Sequence, residues 1–250
     1  MTNGKKSTAE KDTGRNSAPV AVVTGAGRGI GKAFLEELVQ RGYRVVAVVR
    51  SLASVRELFS LDPNNIFPLR CDVTEASTEE VLKEFLQNQF EKVDLLINNA
   101  GYGATGYGIE GLQVQELDRV MAVHLHGPIR CVKACLPFLR NSSDATIINI
   151  SSRFASLEDV STGAVPHDQA TYPYRIAKAS LNMLTSCLSI ELAKEGIRVL
   201  SIDPGKVKTR FGPIDADTEP AAAAKAIVEL VEKNNHPGLF LRASGDKVPW

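Results

Sequence analysis

A glycine-rich segment between an apolar run and a helical pattern constrains the fold of this chain more than any other feature. The segment Thr24-Gly25-Ala26-Gly27-Arg28-Gly29-Ile30-Gly31 follows the valine-rich run 19–24. Glycines allow a tight turn and a close backbone approach to a ligand. The free amides at the N-terminus of a helix are well placed to bind an anion. The spacing Gly-x-x-x-Gly-x-Gly differs from the Gly-x-Gly-x-x-Gly dinucleotide fingerprint. A phosphate-binding turn is expected here, and a merely flexible turn is the alternative.

Apolar strands alternate with helical patterns along the rest of the chain. Strands are predicted at 19–24, 43–49, 65–69, 93–97, 145–150, 197–202 and 238–242, and helices at 29–41, 79–90, 115–140, 174–195 and 220–234. This alternation predicts βαβ units and a doubly wound, mostly parallel sheet with helices on both faces. Ligands bind such sheets beyond the carboxyl ends of the strands. We expect a single Rossmann-type α/β domain over residues 18–250.

Length and charge exclude several classes of protein. The 250 residues carry 29 basic and 29 acidic side chains, so the charge gives no reason to expect binding of nucleic acid or an anionic membrane. No apolar run approaches the roughly 20 residues of a membrane span. Residues 1–17 are polar and lack the apolar centre of a signal peptide. We predict that they form a disordered tail.

The four cysteines are Cys71, Cys131, Cys135 and Cys187, and none forms a Cys-x-x-Cys pair. Cys131 and Cys135 lie one helical turn apart, a spacing that a metal or redox pair would also have. No histidine or second cysteine cluster accompanies them, so we interpret them as buried thiols and predict no metal site. A reducing, cytoplasmic setting is expected.

A tyrosine and a lysine four residues apart, Tyr174 and Lys178, can support a chemical step. Residues at this spacing share one face of a helix. The ammonium is therefore expected to lower the pKa of the phenol from about 10 toward neutrality. The phenol would then act as a general acid or base. The pattern alone is common in helices, and its place downstream of the glycine-rich turn makes it informative.

An arginine, Arg50, closes the second strand, where dinucleotide-binding folds place an acid on the ribose 2′-hydroxyl. No Asp or Glu lies between Val45 and Arg56. Arg50 and Arg28 together favour a 2′-phosphate and hence NADP over NAD, and a solvated arginine is the alternative. Asp72, with its neighbour Val73, follows the third strand and is expected at the adenine.

Taken together, these motifs resemble the short-chain dehydrogenase/reductase family. The resemblance covers nearly everything from Val20 onward, and it rests on the segments Thr24–Gly31, Asn98-Asn99-Ala100-Gly101, Ile150-Ser151-Ser152, Tyr174-x-x-x-Lys178 and Pro204-Gly205-Lys206-Val207-Lys208-Thr209. The serine pair before a lengthened loop and the ending 238–250 are similar to the sniffer and C-factor branch of carbonyl reductases. The resemblance implies a reaction between NADPH and a small carbonyl or alcohol substrate.

The resemblance also implies roles for single residues. Tyr174 would protonate the carbonyl oxygen as hydride leaves the nicotinamide, Ser152 would hold that oxygen, and Lys178 would bond the nicotinamide ribose. Asn99, Ala100 and Gly101 would line the wall beside the adenosine and ribose, and Pro204, Gly205, Val207 and Thr209 would fix the nicotinamide ring and its carboxamide. Ser151 and Ser156 are weaker candidates than Ser152. Tyr172 is a weaker candidate than Tyr174, since the residue four positions after Tyr172 is Ile176 and not a lysine.

The chain departs from the family pattern at three places. His124 stands where the family usually has an asparagine that supports a water relay to the lysine. Because a neutral histidine both donates and accepts, His124 is expected either to replace that asparagine or to be a satisfied core histidine. The serine-to-tyrosine gap is long, so residues 153–173 are expected to form an elaboration over the substrate mouth. Lys206 occupies a rim position that is typically tryptophan.

Two other functions and the assembly state stay open. A 3-oxoacyl thioester reductase would need a basic docking patch, for which the candidates are Arg153, Arg175, Lys206, Lys208 and Arg210. A catalytically weak NADP-binding regulatory protein is the second alternative. The resemblance implies a homodimer or homotetramer through the helices 115–140 and 174–195. An apolar stripe on the latter, formed by Ala177, Leu181, Leu184 and Leu188, fits such an interface and fits an internal core equally well.

Overall fold

Seven strands form one parallel sheet in the computed structural model, which describes residues 18–210, 212–233 and 239–250. The strands are β1 (Val20–Thr24), β2 (Arg44–Val49), β3 (Ile66–Arg70), β4 (Leu95–Asn98), β5 (Thr146–Ile150), β6 (Arg198–Asp203) and β7 (Phe240–Arg242). They lie in the order β3-β2-β1-β4-β5-β6-β7. The predicted tail 1–17 and Gly238 of the predicted last strand lie outside the described residues, so the boundary at residue 18 stays a prediction.

Eight α-helices connect these strands in the described residues and confirm the doubly wound α/β fold class. They are α1 (Gly29–Gln40), α2 (Leu52–Leu61), α3 (Thr78–Gln89), α4 (Val114–Met121), α5 (Gly127–Leu139), α6 (Leu157–Ser161), α7 (Tyr172–Glu191) and α8 (Pro220–Lys233). Asn234, which the predicted last helix includes, lies outside the described residues. No helix in the described part of the chain is both long and apolar enough to cross a bilayer.

Each face of the sheet has its own apolar core because alternate strand residues point in opposite directions. Val20 and Val22 of β1 pack with residues of α3 and α5. Ala21 and Val23 pack on the other side with residues of α1, α2 and α8. The strand order reverses between β1 and β4, which creates a crevice at the carboxyl edge of the sheet.

The sequence analysis did not predict helix α2. Ser51 caps this helix by accepting a hydrogen bond from the amide of Ser54 at 3.0 Å, and Leu58 is its buried residue. A helix that buries so little apolar surface shows a weak periodic pattern. The serine before Leu52 is the signal that would have marked its start.

The predicted helix 115–140 is interrupted by a π-helical turn, Ala122–His126, between α4 and α5. Such turns insert one residue into the helical repeat and often occur at functional sites. Here the turn contains His124, whose side chain is buried. Apolar periodicity does not reveal a widened turn of this kind.

Hydrogen bonds join α7 to the sheet through polar side chains. The amide Nδ2 of Asn98 donates to Asn149 Oδ1 at 2.8 Å, and Asn149 Nδ2 donates to Thr185 Oγ1 at 2.9 Å. Thr185 Oγ1 lies 2.8 Å from Ser201 Oγ. This polar chain, Asn98–Asn149–Thr185–Ser201, links strands β4, β5 and β6 to α7. All four residues are buried.

Part of the apolar stripe predicted on α7 belongs to the core. Ala177 and Leu181 are buried, whereas Leu184 and Leu188 are half-buried. The large apolar side chains that α7 exposes are instead Ile176, Met183 and Ile190.

The cysteines behave as ordinary thiols. Cys71, Cys131 and Cys135 are buried and unpaired, and Cys187 is exposed. Burial raises the pKa of Cys131 to about 12, and it also raises the pKa of Cys135. Among the described residues, no group of three or more His, Cys, Asp or Glu side chains is arranged to hold a metal ion.

Thr185→Val tests the importance of the polar chain. The substitution keeps the shape of the side chain but leaves Asn149 and Ser201 without their shared partner. Each unsatisfied buried group costs about 1–3 kcal/mol, so we expect the free energy of unfolding to fall by at least about 1 kcal/mol. Urea unfolding followed by circular dichroism measures it, with exposed Thr162→Val as the control. Equal stability of both variants would contradict this role.

Candidate active site

The glycines of the turn after β1 are required by its close packing against β4. A Cβ on Gly31 would lie 2.2 Å from the carbonyl oxygen of Gly25 and 2.5 Å from Asn99 Nδ2. Gly25 has φ +68°, and a Cβ there would lie 2.9 Å from Ala100 Cα. No other residue fits these positions without displacing backbone. The turn predicted from the sequence is therefore tightly packed rather than flexible.

Thr24 and Asn99 fix the two strand ends beside this turn. Thr24 Oγ1 accepts hydrogen bonds from the amides of Asn99 and Ala100, both at 3.0 Å. Asn99 Nδ2 donates to the carbonyl oxygen of Thr24 at 2.9 Å. Both residues were predicted at the cofactor, and here their polar atoms hold β1 and β4 together at the switch point. Gly101 follows them and is exposed.

The start of α1 offers its amides to an anion. Its N-cap residue, Arg28, makes no side-chain capping hydrogen bond, and no acid lies in the first turn. In contrast, Ser51, Ser156 and Thr171 cap α2, α6 and α7. Open amides at a helix N-terminus fit a phosphate group. A Cβ on Gly29 would lie 3.4 Å from Thr209 Cγ2, so the loop after β6 borders the same cradle. These residues fit the pyrophosphate of a dinucleotide.

The two arginines predicted at a 2′-phosphate lie on exposed edges of this cradle. Arg28 and Arg50 are both exposed. The glycine turn reaches the end of β2, since a Cβ on Gly27 would lie 3.4 Å from Val49 Cγ1 and 3.1 Å from Ser54 Oγ. The start of α2 thus lies next to the turn, which the sequence analysis missed.

Asp72 and Val73, predicted at the adenine, follow β3 at the same edge of the sheet. Asp72 Oδ1 accepts hydrogen bonds from the Thr74 amide at 3.0 Å and from the Thr74 hydroxyl at 2.8 Å. This oxygen therefore shapes the turn that leads into α3. Val73 is buried.

Ser152, Tyr174 and Lys178 come together at the carboxyl end of β5, as the motif spacing predicts. Ser152 is buried, and its hydroxyl lies next to that of Tyr174, where it lowers the pKa of the phenol. Lys178 Nζ donates to the carbonyl oxygen of Ile150 at 2.5 Å and lies 5.7 Å from the centre of the Tyr174 ring. Ser151 has a different partner, because its hydroxyl donates to Asn182 Oδ1 at 2.7 Å.

The ionisation of this group differs from the sequence-based expectation. Burial raises the pKa of Tyr174 to about 12, although the Ser152 hydroxyl opposes that change. Burial also lowers the pKa of Lys178 to about 7, against the attraction of Asp203. The lowered tyrosine pKa expected from Lys178 is therefore not found. The reason is that Lys178 is itself desolvated and directs its ammonium to Ile150.

His124 lies between the loop after β4 and the Tyr174 ring. Its Nε2 lies 3.1 Å from the amide nitrogen and 3.0 Å from the carbonyl oxygen of Tyr102. The rings of His124 and Tyr174 meet edge to face, with centres 5.5 Å apart. Burial, with a smaller effect of the Lys178 charge, lowers the pKa of His124 to about 3. The imidazole is therefore neutral near pH 7, and its buried Nδ1 has no hydrogen-bond partner among the described residues.

Asp203 is a second buried ionisable residue at this site, and the sequence analysis missed it. It ends β6 directly before Pro204 and is only 4% exposed. One carboxylate oxygen accepts a hydrogen bond from the Gly205 amide at 3.2 Å. An acid at the carboxyl end of an apolar strand was the available signal, because such ends meet at the ligand edge.

The predicted elaboration 153–173 contains α6 and two short 3-10 turns. Arg175 holds it in place, with Nη2 donating to the carbonyl oxygen of Pro166 at 2.5 Å and Nε to that of Ala170 at 3.2 Å. Arg175 is buried, so its assignment to a surface docking patch was wrong. Lys206 and Lys208, two other members of that patch, pair with Asp215 and Glu219.

These ion pairs connect residues 206–208 of the loop after β6 to residues 215–219. The Lys208 amide donates to the carbonyl oxygen of Thr218 at 2.9 Å, and the Thr218 amide donates to that of Lys206 at 3.2 Å. Val207 is buried. Pro204, Gly205, Val207 and Thr209, all predicted at the nicotinamide, thus lie on one braced loop at the carboxyl edge. Lys206, in the rim position, is held by an acid of the same segment.

Comparison with known proteins identifies relatives over most of the chain. Residues 19–219 match the profile of the short chain dehydrogenase family. An uncharacterized oxidoreductase of Staphylococcus aureus (strain MRSA252) is 32% identical over 225 residues, which are 87% of this chain and 92% of the relative. An uncharacterized oxidoreductase of Staphylococcus epidermidis is 32% identical over 190 residues, 76% of this chain and 78% of that protein.

Solved structures of two carbonyl reductases are similar to the whole fold. The NADPH-bound carbonyl reductase from chicken fatty liver is 29% identical, with a TM-score of 0.83 over 93% of this chain and 99% of that chain. The carbonyl reductase Sniffer of D. melanogaster is 26% identical, with the same TM-score of 0.83 and the same coverage, 93% and 99%. The similarity agrees with the sniffer-like branch indicated by the sequence.

The titration of Lys178 tests the electrostatics of this site. We expect its side chain to titrate near pH 7, whereas an unperturbed lysine titrates near about 10.4. Nuclear magnetic resonance of protein labelled at the lysine ε-carbon measures this, and the signal lost in Lys178→Met gives the assignment. A Lys178 signal that moves only above about pH 9 would contradict the burial of this ammonium.

Proposed function

The chain belongs to the short chain dehydrogenase family, and from this premise we propose that it is an NADP-dependent carbonyl reductase. The observation that carries this proposal is the contact of the Ser152 and Tyr174 hydroxyls one helical turn from Lys178. This group lies at the same edge of the sheet as the glycine cradle. A proton donor and a nucleotide site are thus brought to one crevice.

The cofactor of this proposal is NADPH, which when bound supplies the hydride. Three features of the cradle support the choice of NADPH. They are the open amides of α1, the tightly packed Gly25 and Gly31, and the exposed Arg28 and Arg50. Guanidinium groups recognise a phosphate well because they offer several donors in one plane. The NADPH-bound chicken enzyme, with the same fold, supports it further.

Tyr174 is the proton donor in the proposed reduction. Its raised pKa, about 12, keeps the phenol protonated at neutral pH, as donation to a carbonyl oxygen requires. Ser152 positions that oxygen through a hydrogen bond. Lys178 lies beside the phenol and in its charged form stabilises the phenolate that is left. In the oxidation direction Tyr174 accepts the proton of the alcohol.

His124 is proposed to return a proton to Lys178 through water. Its neutral ring can donate and accept, and its buried Nδ1 has no partner among the described residues. Its Nε2 contacts the Tyr102 backbone. That contact also supports the alternative of a structural histidine, so the two roles require an experiment.

The substrate class is proposed to be a small ketone or aldehyde or the corresponding alcohol. The segment from Thr209 to α8 is short, so any lid over the site is small. The pairing of Lys206 and Lys208 and the burial of Arg175 weaken the case for docking an acyl carrier. The Ser152–Tyr174–Lys178 group likewise argues against a purely regulatory NADP-binding protein.

A homodimer or homotetramer in the cytoplasm is the setting we propose. The exposed Ile176, Met183 and Ile190 form an apolar face along α7 that a second copy would cover. The free cysteines fit a reducing compartment. The mass in solution, measured by light scattering, tests the assembly.

Tyr174→Phe tests the proposed mechanism. The substitution removes only the hydroxyl, so packing should persist. We expect turnover of an accepted carbonyl to fall by about two to four orders of magnitude, the range of general acid catalysis. NADPH affinity should change little. Turnover is followed by NADPH absorbance with a panel of ketones and aldehydes.

The matched control is Tyr172→Phe at the start of the same helix, which should keep its turnover. If Tyr174→Phe turns over at nearly the wild-type rate, the proton-donor role must be abandoned. If no carbonyl in a broad panel is reduced by the wild type, the carbonyl reductase proposal itself loses its support.

Arg50→Asp tests the choice of cofactor. Loss of an arginine–phosphate pair costs about 1.5–3 kcal/mol, so NADPH affinity should fall by roughly ten-fold or more. NADH affinity should be retained or improve. Fluorescence titration measures both, and exposed Arg119→Asp on α4 carries the same charge change as the control. Equal wild-type affinity for the two cofactors would overturn the preference for NADP.

His124→Ala and His124→Asn separate the two roles of the histidine. A relay predicts that His124→Ala lowers kcat with nearly unchanged NADPH affinity and that His124→Asn restores much of the rate. Initial rates and thermal unfolding are measured on both variants. If both unfold at a lower temperature but keep the wild-type kcat, the histidine is only structural.

A further inference from the structure

Asp203 is a buried acid that the proposed mechanism does not use. It is the last residue of β6 and is 4% exposed. Burying an ionisable carboxyl costs free energy unless hydrogen bonds and charges compensate. Here the side chain accepts a hydrogen bond from the Gly205 amide at 3.2 Å, and the Arg153 amide also lowers the pKa of this carboxyl against the effect of burial. These two residues belong to different loops at the carboxyl edge of the sheet.

The two amides connect the halves of the site. Arg153 directly follows Ser152, and Gly205 lies on the loop after β6 that is proposed to hold the nicotinamide. The backbone oxygen of Asp203 also accepts a hydrogen bond from the Ala243 amide at 2.9 Å.

Asp203 pairs with Arg242 across the sheet, and its neighbour Ile202 pairs with Ile150, whose carbonyl oxygen binds Lys178. The loops after β5, β6 and β7 thus converge next to Asp203. A serine or asparagine at this position would lack its negative charge.

Charged groups face Asp203 from each element packed around it. Arg153 on the loop after β5 and Arg242 at the end of β7 are attracted to its carboxylate. Lys178 of α7 is the third cation that it attracts, and Tyr174 of the same helix also lies in its field. The Lys178 charge also lowers the pKa of His124, which lies in the π-helical turn.

We propose that Asp203 is a positioning residue of the active site, whose carboxylate ties the Ser152 loop to the Gly205 loop and holds the Lys178 ammonium in its charged form. The part of this proposal that concerns turnover rests on the proposed function. The part that concerns the charge of Lys178 does not.

The sign of the effect follows from the charges. Burial lowers the pKa of Lys178, and the Asp203 carboxylate raises it. The same carboxylate adds to the raised pKa of Tyr174. Loss of the negative charge also leaves Arg153 and Arg242 uncompensated, which disfavours a further cation nearby. Removal of the charge therefore lowers the pKa of both Lys178 and Tyr174.

A turn-closing acid is the simpler alternative, because Asp203 to Gly205 is a common turn contact. That role explains the bond to Gly205. It does not explain why the Arg153 amide and the Lys178 ammonium also interact electrostatically with this carboxylate. It also predicts that a neutral acceptor works as well as a carboxylate, which a charge-removing variant tests directly.

Asp203→Asn removes the charge and keeps an acceptor oxygen, whereas Asp203→Glu keeps the charge. Ser201→Ala, two residues earlier in β6, is a neutral substitution that breaks the bond to Thr185. It controls for lost stability. Glu84→Gln on α3 removes an exposed negative charge and controls for net charge. Thermal unfolding of each variant is recorded first.

The decisive measurement is the titration of Lys178 by nuclear magnetic resonance in protein labelled at the lysine ε-carbon. We expect the midpoint in Asp203→Asn to be lower than in the wild type by about half a pH unit or more. Asp203→Glu should stay nearer to the wild type, and Ser201→Ala and Glu84→Gln should match it. An unchanged midpoint in folded Asp203→Asn overturns the proposal.

The pH profile of turnover gives a second readout. In the oxidation direction, the rise in rate should move to lower pH in Asp203→Asn but not in Ser201→Ala. If carbonyls are reduced and neither the profile nor the Lys178 midpoint moves, Asp203 only closes a turn. If the midpoint moves but no carbonyl is reduced, the electrostatic role stands and the proposed function fails. Should Asp203→Asn not fold, Asp203→Ser, which also removes the charge and keeps an acceptor oxygen, takes its place, and a Lys178 midpoint equal to that of Asp203→Glu overturns the proposal.

Discussion

The docking of α7 on β5 through hydrogen bonds sets the position of the rest of the site. Lys178 bonds the carbonyl oxygen of Ile150, Asn182 accepts from Ser151, and Thr185 accepts from Asn149. These α7 residues lie on one face of the helix at spacings of four and three. Tyr174 begins the same face and therefore meets Ser152 at the end of the strand. Apolar contacts alone are not directional and would not determine the position of α7 along its own axis.

This docking places ionisable groups in the core, where burial of a charge costs free energy. Lys178 and Asp203 are buried. Burial lowers the pKa of Lys178 and raises the pKa of Asp203, which favours the neutral form of each. The Asp203 carboxylate opposes that change at Lys178, and the Gly205 and Arg153 amides oppose it at Asp203. His124 Nδ1 and Asn182 Nδ2 are also buried without partners in the described part of the chain. Such concentrations of buried polar atoms are typical of functional sites.

The sequence predicted the parts of the fold that repeat and missed those that depend on a single local event. Apolar patterns of sufficient length predict the seven strands and the helices α1, α3, α7 and α8. Helix α2 buries too little for its pattern to be visible. The π-helical turn at Ala122–His126 adds one residue to a helix whose composition looks continuous. Arg175 looked like a surface charge because its carbonyl partners are nine and five residues away in the chain.

The sequence by itself determined the parallel α/β sheet, the glycine turn and the spacing of Tyr174 and Lys178, because each depends on residues close together in the chain. Only the tertiary structure decided how these residues ionise. The pKa of Tyr174 rises instead of falling since burial outweighs the lowering effect of the Ser152 hydroxyl. The position of Asp203 beside Arg153 and Lys178 likewise depends on three strand ends meeting at one edge. Burial and long-range charge arise from packing, and no local pattern in the sequence encodes them.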